Sequence, residues 1–106
     1  MNRELYEHRA SIVKALAHAS RLMMVDALTK GERCVCELQE IVGADMSTVS
    51  RHLAVLRAAG LVTMRKEGLQ VFYSLRCPCI NDFLACVDEV VKVDAQQRER
   101  LAGMAR

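Results

Sequence analysis

Two closely spaced cysteine pairs carry the reactive chemistry of this 106-residue chain: Cys34-Val35-Cys36 and Cys77-Pro78-Cys79. Thiolates are soft metal ligands and redox-active nucleophiles. Five cysteines grouped in close pairs do not read as a disulfide framework, so soft-ion binding or redox sensing is favoured. The fifth, Cys86, stands among Phe83, Val87 and Val90 and reads as a buried core side chain. Residues two apart share a face on a strand but diverge on a helix. Cys34 and Cys36 can therefore share one ion only if their segment is extended.

The elements around the thiols follow from apolar spacing and capping residues. Leu5, Ile12, Val13, Leu16 and Ala17 recur at helical spacing, so a first helix covers about Leu5 to Ala17. Ser20 reads as the cap of a second helix, which stops at Gly31. Leu38, Ile41 and Val42 form a short third helix ended by Gly43. Asp45 caps a fourth, with Thr48 at its N3 position, a stripe of Val49, Leu53 and Leu56, and Gly60 as its end. Helix, tight break and helix is the helix-turn-helix pattern. Leu61 to Lys66 and Gln70 to Leu75 then alternate about a Lys66-Glu67-Gly68-Leu69 turn, which reads as a β-hairpin, or wing. Pro78 suits the first position of a last helix and places Cys79 in its first turn. That helix carries Ile80, Phe83, Leu84, Val87, Val90 and Val91, and its stripe fades at Asp94. The fold class expected is mostly α with a small β-hairpin, a winged helix-turn-helix in one domain, 1–106.

Early in the fourth helix, Ser47, Thr48, Ser50, Arg51 and His52 are left facing outward. Recognition helices dock their N-terminal turns in the major groove, where hydroxyls and forked cations reach phosphates and base edges. Arg51 is the leading candidate for base or phosphate contact. Ser47 and Thr48 suit phosphates, and Arg65 and Lys66 at the hairpin tip suit the adjacent phosphates or the minor groove. Ser47 to Arg76 holds five bases and one acid, a local +4 within a chain of net charge +2. A basic centre in an otherwise slightly acidic chain is the footprint of a surface that faces double-stranded DNA.

Hydrophobic residues make up 52% of the chain, which excludes a disordered tail. No apolar run approaches the ~20 residues of a membrane span. Met1-Asn2-Arg3-Glu4 leads straight into an amphipathic stretch, so no signal peptide is expected and the placement is cytoplasmic. No phosphate-cradling cysteine loop or base-paired nucleophile is present, so a small thiol enzyme such as an arsenate reductase is disfavoured.

Three runs resemble the ArsR/SmtB family of arsenic-repressor-like regulators: Ala15 to Leu22, Cys34-Val35-Cys36-Glu37-Leu38, and Ser47-Thr48-Val49-Ser50-Arg51-His52-Leu53 through Val62. The hairpin strings Arg65 to Gly68 and Val71 to Leu75 fit as well. The likeness spans roughly residues 10 to 80 and implies a homodimer with the terminal helices at its interface. It also implies a repressor that leaves its operator when an inducer binds. In arsenic-responsive members a third ligand follows the second cysteine by three positions, and here that position is Gln39. A third sulfur must come from elsewhere, with Cys77 or Cys79 the obvious supplier. Zinc-responsive members use His and carboxylates of the last helix, yet His8, His18 and His52 all lie outside it.

In winged helices a short strand before the motif commonly pairs with the outer hairpin strand, here Gln70 to Leu75. Such pairing is expected to bring Cys34, Cys36, Cys77 and Cys79 together within one subunit. An all-sulfur site selects soft ions, with arsenic(III) or antimony(III) first and cadmium, lead or copper(I) next. The alternative keeps the fold and makes a thiol-redox or persulfide signal the input.

Overall fold

The computed structural model describes residues 2–104. They run α1 (Arg3–Leu16), α2 (Ala19–Leu28), β1 (Arg33–Cys34), α3 (Val35–Val42), α4 (Met46–Ala58), β2 (Val62–Glu67), β3 (Gln70–Leu75) and α5 (Ile80–Met104). Side chains placed at the helix starts set most of these boundaries. Asn2 accepts the Glu4 N–H at 3.0 Å and opens α1. The helix breaks at Ala17, and His18, not the expected Ser20, caps α2: its Nδ1 accepts the Ser20 N–H at 3.1 Å. Asp45 accepts the Thr48 N–H at 3.0 Å and opens α4 as its spacing predicts. Gly43 ends α3 in the left-handed region, with φ 74°, where a side chain would be strained.

The hairpin pairs β2 with β3 from Val62 opposite Leu75 to Glu67 opposite Gln70. Its loop is two residues, Gly68-Leu69, shorter than the turn expected. Gly68 has φ 61°, the geometry of hairpin turns with glycine first. The two-residue β1 adds to the outer edge of β3, giving the antiparallel order β1-β3-β2.

Packing joins α2, α3, α4 and the root of the wing. Leu16, Met24, Val25, Leu28, Leu38, Val49, Leu53, Leu56 and Val62 form one buried cluster. Each such side chain contributes roughly 1.5–3 kcal/mol by leaving water. Val49, Leu53 and Leu56 line the inner face of α4 as their spacing predicts, and hold that helix against the body.

The last helix differs from expectation at both ends. Ile80, Asn81 and Asp82 donate to the carbonyls of Cys77, Pro78 and Cys79, three residues back. Pro78 and Cys79 thus form a tight turn ahead of α5, which starts at Ile80 and continues past Asp94 to Met104. No residue of α5 is buried within the chain. Cys86 is exposed, not a core side chain, because only Ile80 and Leu84 of α5 pack against the cluster. Phe83, Val87, Val90 and Val91 face outward, as do Leu5, Tyr6 and Val13 of α1. Among the described residues, no helix is long and apolar enough to cross a membrane.

Candidate nucleic-acid interface and thiol pair

The first turns of α4 present Ser47, Ser50 and Arg51 to solvent, with Thr48 half-buried. Ser47 Oγ donates to Asp45 Oδ2 at 3.2 Å, which ties it to the cap. Asp45 is held below the usual carboxylate range, chiefly by the hydrogen bonds from Thr48, then by Ser47 and the nearby Arg51 charge. Arg51 has no ion-pair partner among the described residues, and neither does Lys66 on the wing.

Two residues expected to face DNA are engaged elsewhere. Arg65 donates from Nη2 and Nε to the two carboxylate oxygens of Glu32, at 2.7 and 2.9 Å. Its Nη1 donates to Glu67 at 2.7 Å, and its guanidinium lies 4.6 Å from the centre of the Phe72 ring. This fork is pinned across the sheet by charge-assisted bonds, and Arg65 stabilises Glu32 as a carboxylate below its usual range. His52 turns towards α2 instead of outward. Its ring stands 4.3 Å from that of His18, and Arg21 Nη1 donates to its Nδ1 at 3.1 Å. Arg21 Nε donates in turn to the Ala15 carbonyl at 2.6 Å. Because arginine can only donate, His52 accepts and is neutral. Burial lowers its pKa first, with the His18, Arg21 and Arg51 charges adding to the effect.

Cys34 ends β1 and caps α3. Its sulfur accepts the Glu37 N–H at 3.4 Å, while Glu37 Oε1 accepts the Cys34 N–H at 3.3 Å. This is a capping box with a thiol in place of a hydroxyl. The segment is extended only as far as Cys34. Cys36 lies in the first turn of α3, so the expectation of two thiols on one strand face is corrected. The two thiols nonetheless stay neighbours. The Glu37 N–H pulls the Cys34 pKa down, but burial, the Glu37 carboxylate and the Cys36 thiol outweigh it and leave the pKa raised.

The expected pairing of β1 with β3 forms, with Arg33 opposite Tyr73 and Cys34 opposite Phe72. Its antiparallel register has the opposite consequence to the one expected. From Phe72 the chain runs towards the Glu32 side, away from Cys34. At about 3.3 Å per extended residue, Cys77 comes roughly 16 Å later. Cys77 and Cys79 are exposed at the root of α5. Among the described residues, no group of three or more His, Cys, Asp or Glu side chains is placed to hold a metal ion. Within one protomer, Cys34 and Cys36 are a pair, and Cys77 and Cys79 do not join them.

Residues 18–64 match the model of the bacterial regulatory protein, arsR family. The arsenical resistance operon repressor of Staphylococcus aureus is 35% identical over 79 residues, covering 74% of this chain and 76% of that one. The crystal structure of Rv0081 from Mycobacterium tuberculosis superposes with a TM-score of 0.79 at 36% identity, covering 89% of this chain and 95% of that one. A solution structure from Mycobacterium bovis, a homodimeric winged helix-turn-helix DNA-binding domain, gives 0.77 at 30% identity, covering 90% and 88%. The chain belongs to the ArsR family. It is a DNA-binding transcriptional regulator of the winged helix-turn-helix type, and its family's members are regulators, not enzymes.

In this ArsR-family chain, α4 is the recognition helix and β2-β3 the wing. The link from Arg21 and His18 to His52 was not legible as a site, because residues thirty apart in the chain carry no local signal. Glu37 was missed: it follows Cys34 at capping-box spacing, but a thiol stands where a hydroxyl would signal the cap.

Proposed function

We propose that this chain is a homodimeric repressor that reads operator DNA with Ser47, Thr48, Ser50, Arg51 and Lys66, and is released by a thiophilic ion at Cys34 and Cys36. Dimerisation through α1 and α5 is supported by their exposed apolar faces and by the homodimeric relative. Half-sites about 34 Å apart must be met by both recognition helices at once, so a small rearrangement within each subunit releases the dimer.

The observation that carries the reading is the thiol capping box at the start of α3. Two neighbouring thiols sit one short helix before the recognition helix. Their soft donors suit arsenic(III) or antimony(III) first, then cadmium, lead or copper(I). The raised Cys34 pKa means that binding releases a proton. Cys77 and Cys79 are the thiols left to complete an inorganic site across a dimer. Cys34→Ser and Cys36→Ser are expected to keep DNA affinity and lose release by arsenite. Release of either variant at wild-type arsenite concentrations would refute the assignment.

A second reading, thiol-redox or persulfide sensing, is supported by the placement of Cys34 and Cys36 on the lining of one cleft. A peroxide would take two electrons and two protons from them, forming a disulfide and water. Titrating reduced protein with the ion separates the two readings, since a thiolate charge-transfer band appears only on the first.

A further inference from the structure

One guanidinium joins three helices of this chain. Arg21, near the start of α2, donates from Nε to the Ala15 carbonyl at 2.6 Å and from Nη1 to His52 Nδ1 at 3.1 Å. Ala15 lies in the last turn of α1, where carbonyls lack helical partners. The N–H groups of Ala17 and His18 take the carbonyls of Lys14 and Leu16, and Arg21 takes that of Ala15 between them. His52 lies midway along α4, and the ring of His18, the cap of α2, stands 4.3 Å from its own. Direct packing between α1 and α4 is incomplete. A groove of about 500 Å³ runs between them, lined by Ser11 and Ala15 of α1 and by Val55 and Ala58 of α4, and Arg21 forms part of its wall.

This tie fixes what the core leaves loose. Val49, Leu53 and Leu56 hold α4 against the body, but apolar contact is non-directional and lets a helix roll and slide by small amounts. A hydrogen bond weakens steeply off its axis, so the Arg21–His52 contact sets the roll of α4. Arg51, without an ion-pair partner among the described residues, precedes His52 by one residue. That places the two about 100° apart round one helix, so the direction of one fixes the direction of the other. At the opposite end of the tie, α1 turns Leu5, Tyr6 and Val13 outward, the face assigned above to the dimer seam.

We infer that Arg21 is a positioning residue: by tying the end of α1 to His52, it sets the roll and separation at which the dimer presents its two recognition helices to the operator. The inference rests on the dimerisation through α1 and α5 proposed above. Arg21 acts through His52 and touches no base. A pair of recognition helices held rigidly meets one half-site spacing well and its neighbours badly. A helix free to roll loses affinity on the correct spacing, because that freedom must be frozen, and it forgives the wrong ones.

The test uses reduced full-length protein on a two-half-site duplex that it selects from a random library. Versions one base pair longer or shorter between the half-sites, and a single half-site, are compared by fluorescence anisotropy. One base pair turns a half-site by about 35° and shifts it by about 3.4 Å. Wild type is expected to lose on the order of tenfold in affinity on either altered spacing, the effect of misplaced contacts at one half-site. Arg21→Met keeps the stem and removes the fork. It should bind the correct spacing on the order of tenfold more weakly, as loss of one charge-assisted hydrogen bond gives. Its loss on the single half-site, and its discrimination between spacings, should each be under about threefold. His52→Leu should repeat this pattern from the other end of the tie, and decides the matter should Arg21→Met misfold or dissociate. His52→Asn, with an acceptor oxygen near the Nδ1 position, should restore the discrimination. Sedimentation reports the oligomer throughout. Sharp spacing discrimination in the Arg21→Met and His52→Leu dimers overturns the inference and leaves the dimeric repressor standing. An equal loss on half-site and full operator, which marks local damage to α4, does the same. Wild type that binds as a monomer overturns the dimer reading and the inference with it.

Discussion

Removing a single wing cation tests which bases of this chain meet phosphate. Lys66 has no acidic partner among the described residues, whereas neighbouring Arg65 is held by Glu32 and Glu67, each at 2.7 Å. Arg65 and its two carboxylates carry a combined charge of −1. Reaching a phosphate would mean giving up three hydrogen bonds first, all of them charge-assisted. Each phosphate contact contributes about 0.9 to the slope of log affinity against log salt. In a dimer, Lys66→Gln should therefore flatten that slope by about 1.8. Between about 50 and about 200 mM salt, the variant's deficit against wild type then shrinks roughly tenfold. Arg65→Gln should change the slope much less, and Glu32→Gln, which frees the Arg65 fork, should steepen it. Anisotropy titrations of a labelled operator at four salt concentrations measure all three. An unchanged slope for Lys66→Gln, or an equal loss for Arg65→Gln, would refute the assignment of phosphate contacts drawn from ion pairing.

Further outcomes follow from the same structure. His52 has a lowered pKa in the fold, so the unfolded chain takes up the proton first; stability should fall as pH drops below about 6.5 and level off below the folded value. His52→Gln should flatten that urea-denaturation profile, and an identical profile would show that the histidine does not report the α2–α4 contact. Leu53 is 1% exposed, so Leu53→Ala should cost about 2–5 kcal/mol, read as a lower urea midpoint at fixed protein concentration. Val90→Asp places a charge on the outward stripe of α5. Sedimentation should then report a monomer with weakened operator affinity, and an intact dimer would move the interface off that helix.

Much of the fold was legible because its signals are local. Val49, Leu53 and Leu56 repeat at helical spacing, Asp45 stands before Thr48 at cap distance, and Gly43 and Gly68 occupy positions that need positive φ. Those features depend on a few neighbouring residues, and the sequence carries them whatever the rest of the chain does. The order of helix, turn, helix and hairpin followed, and with it the DNA-reading class.

Long-range register and side-chain destination were decided by the tertiary structure alone. That β1 pairs with β3 could be anticipated, but not that Cys34 would face Phe72. A two-residue strand has too few alternating positions to declare its register, and that register separates the cysteine pairs. Arg65 and His52 look free in sequence because their partners, Glu32 and Arg21, lie more than thirty residues away. Cys86 looks buried because apolar spacing marks a face that avoids water without naming what covers it. In this chain α5 turns that face away from its own core.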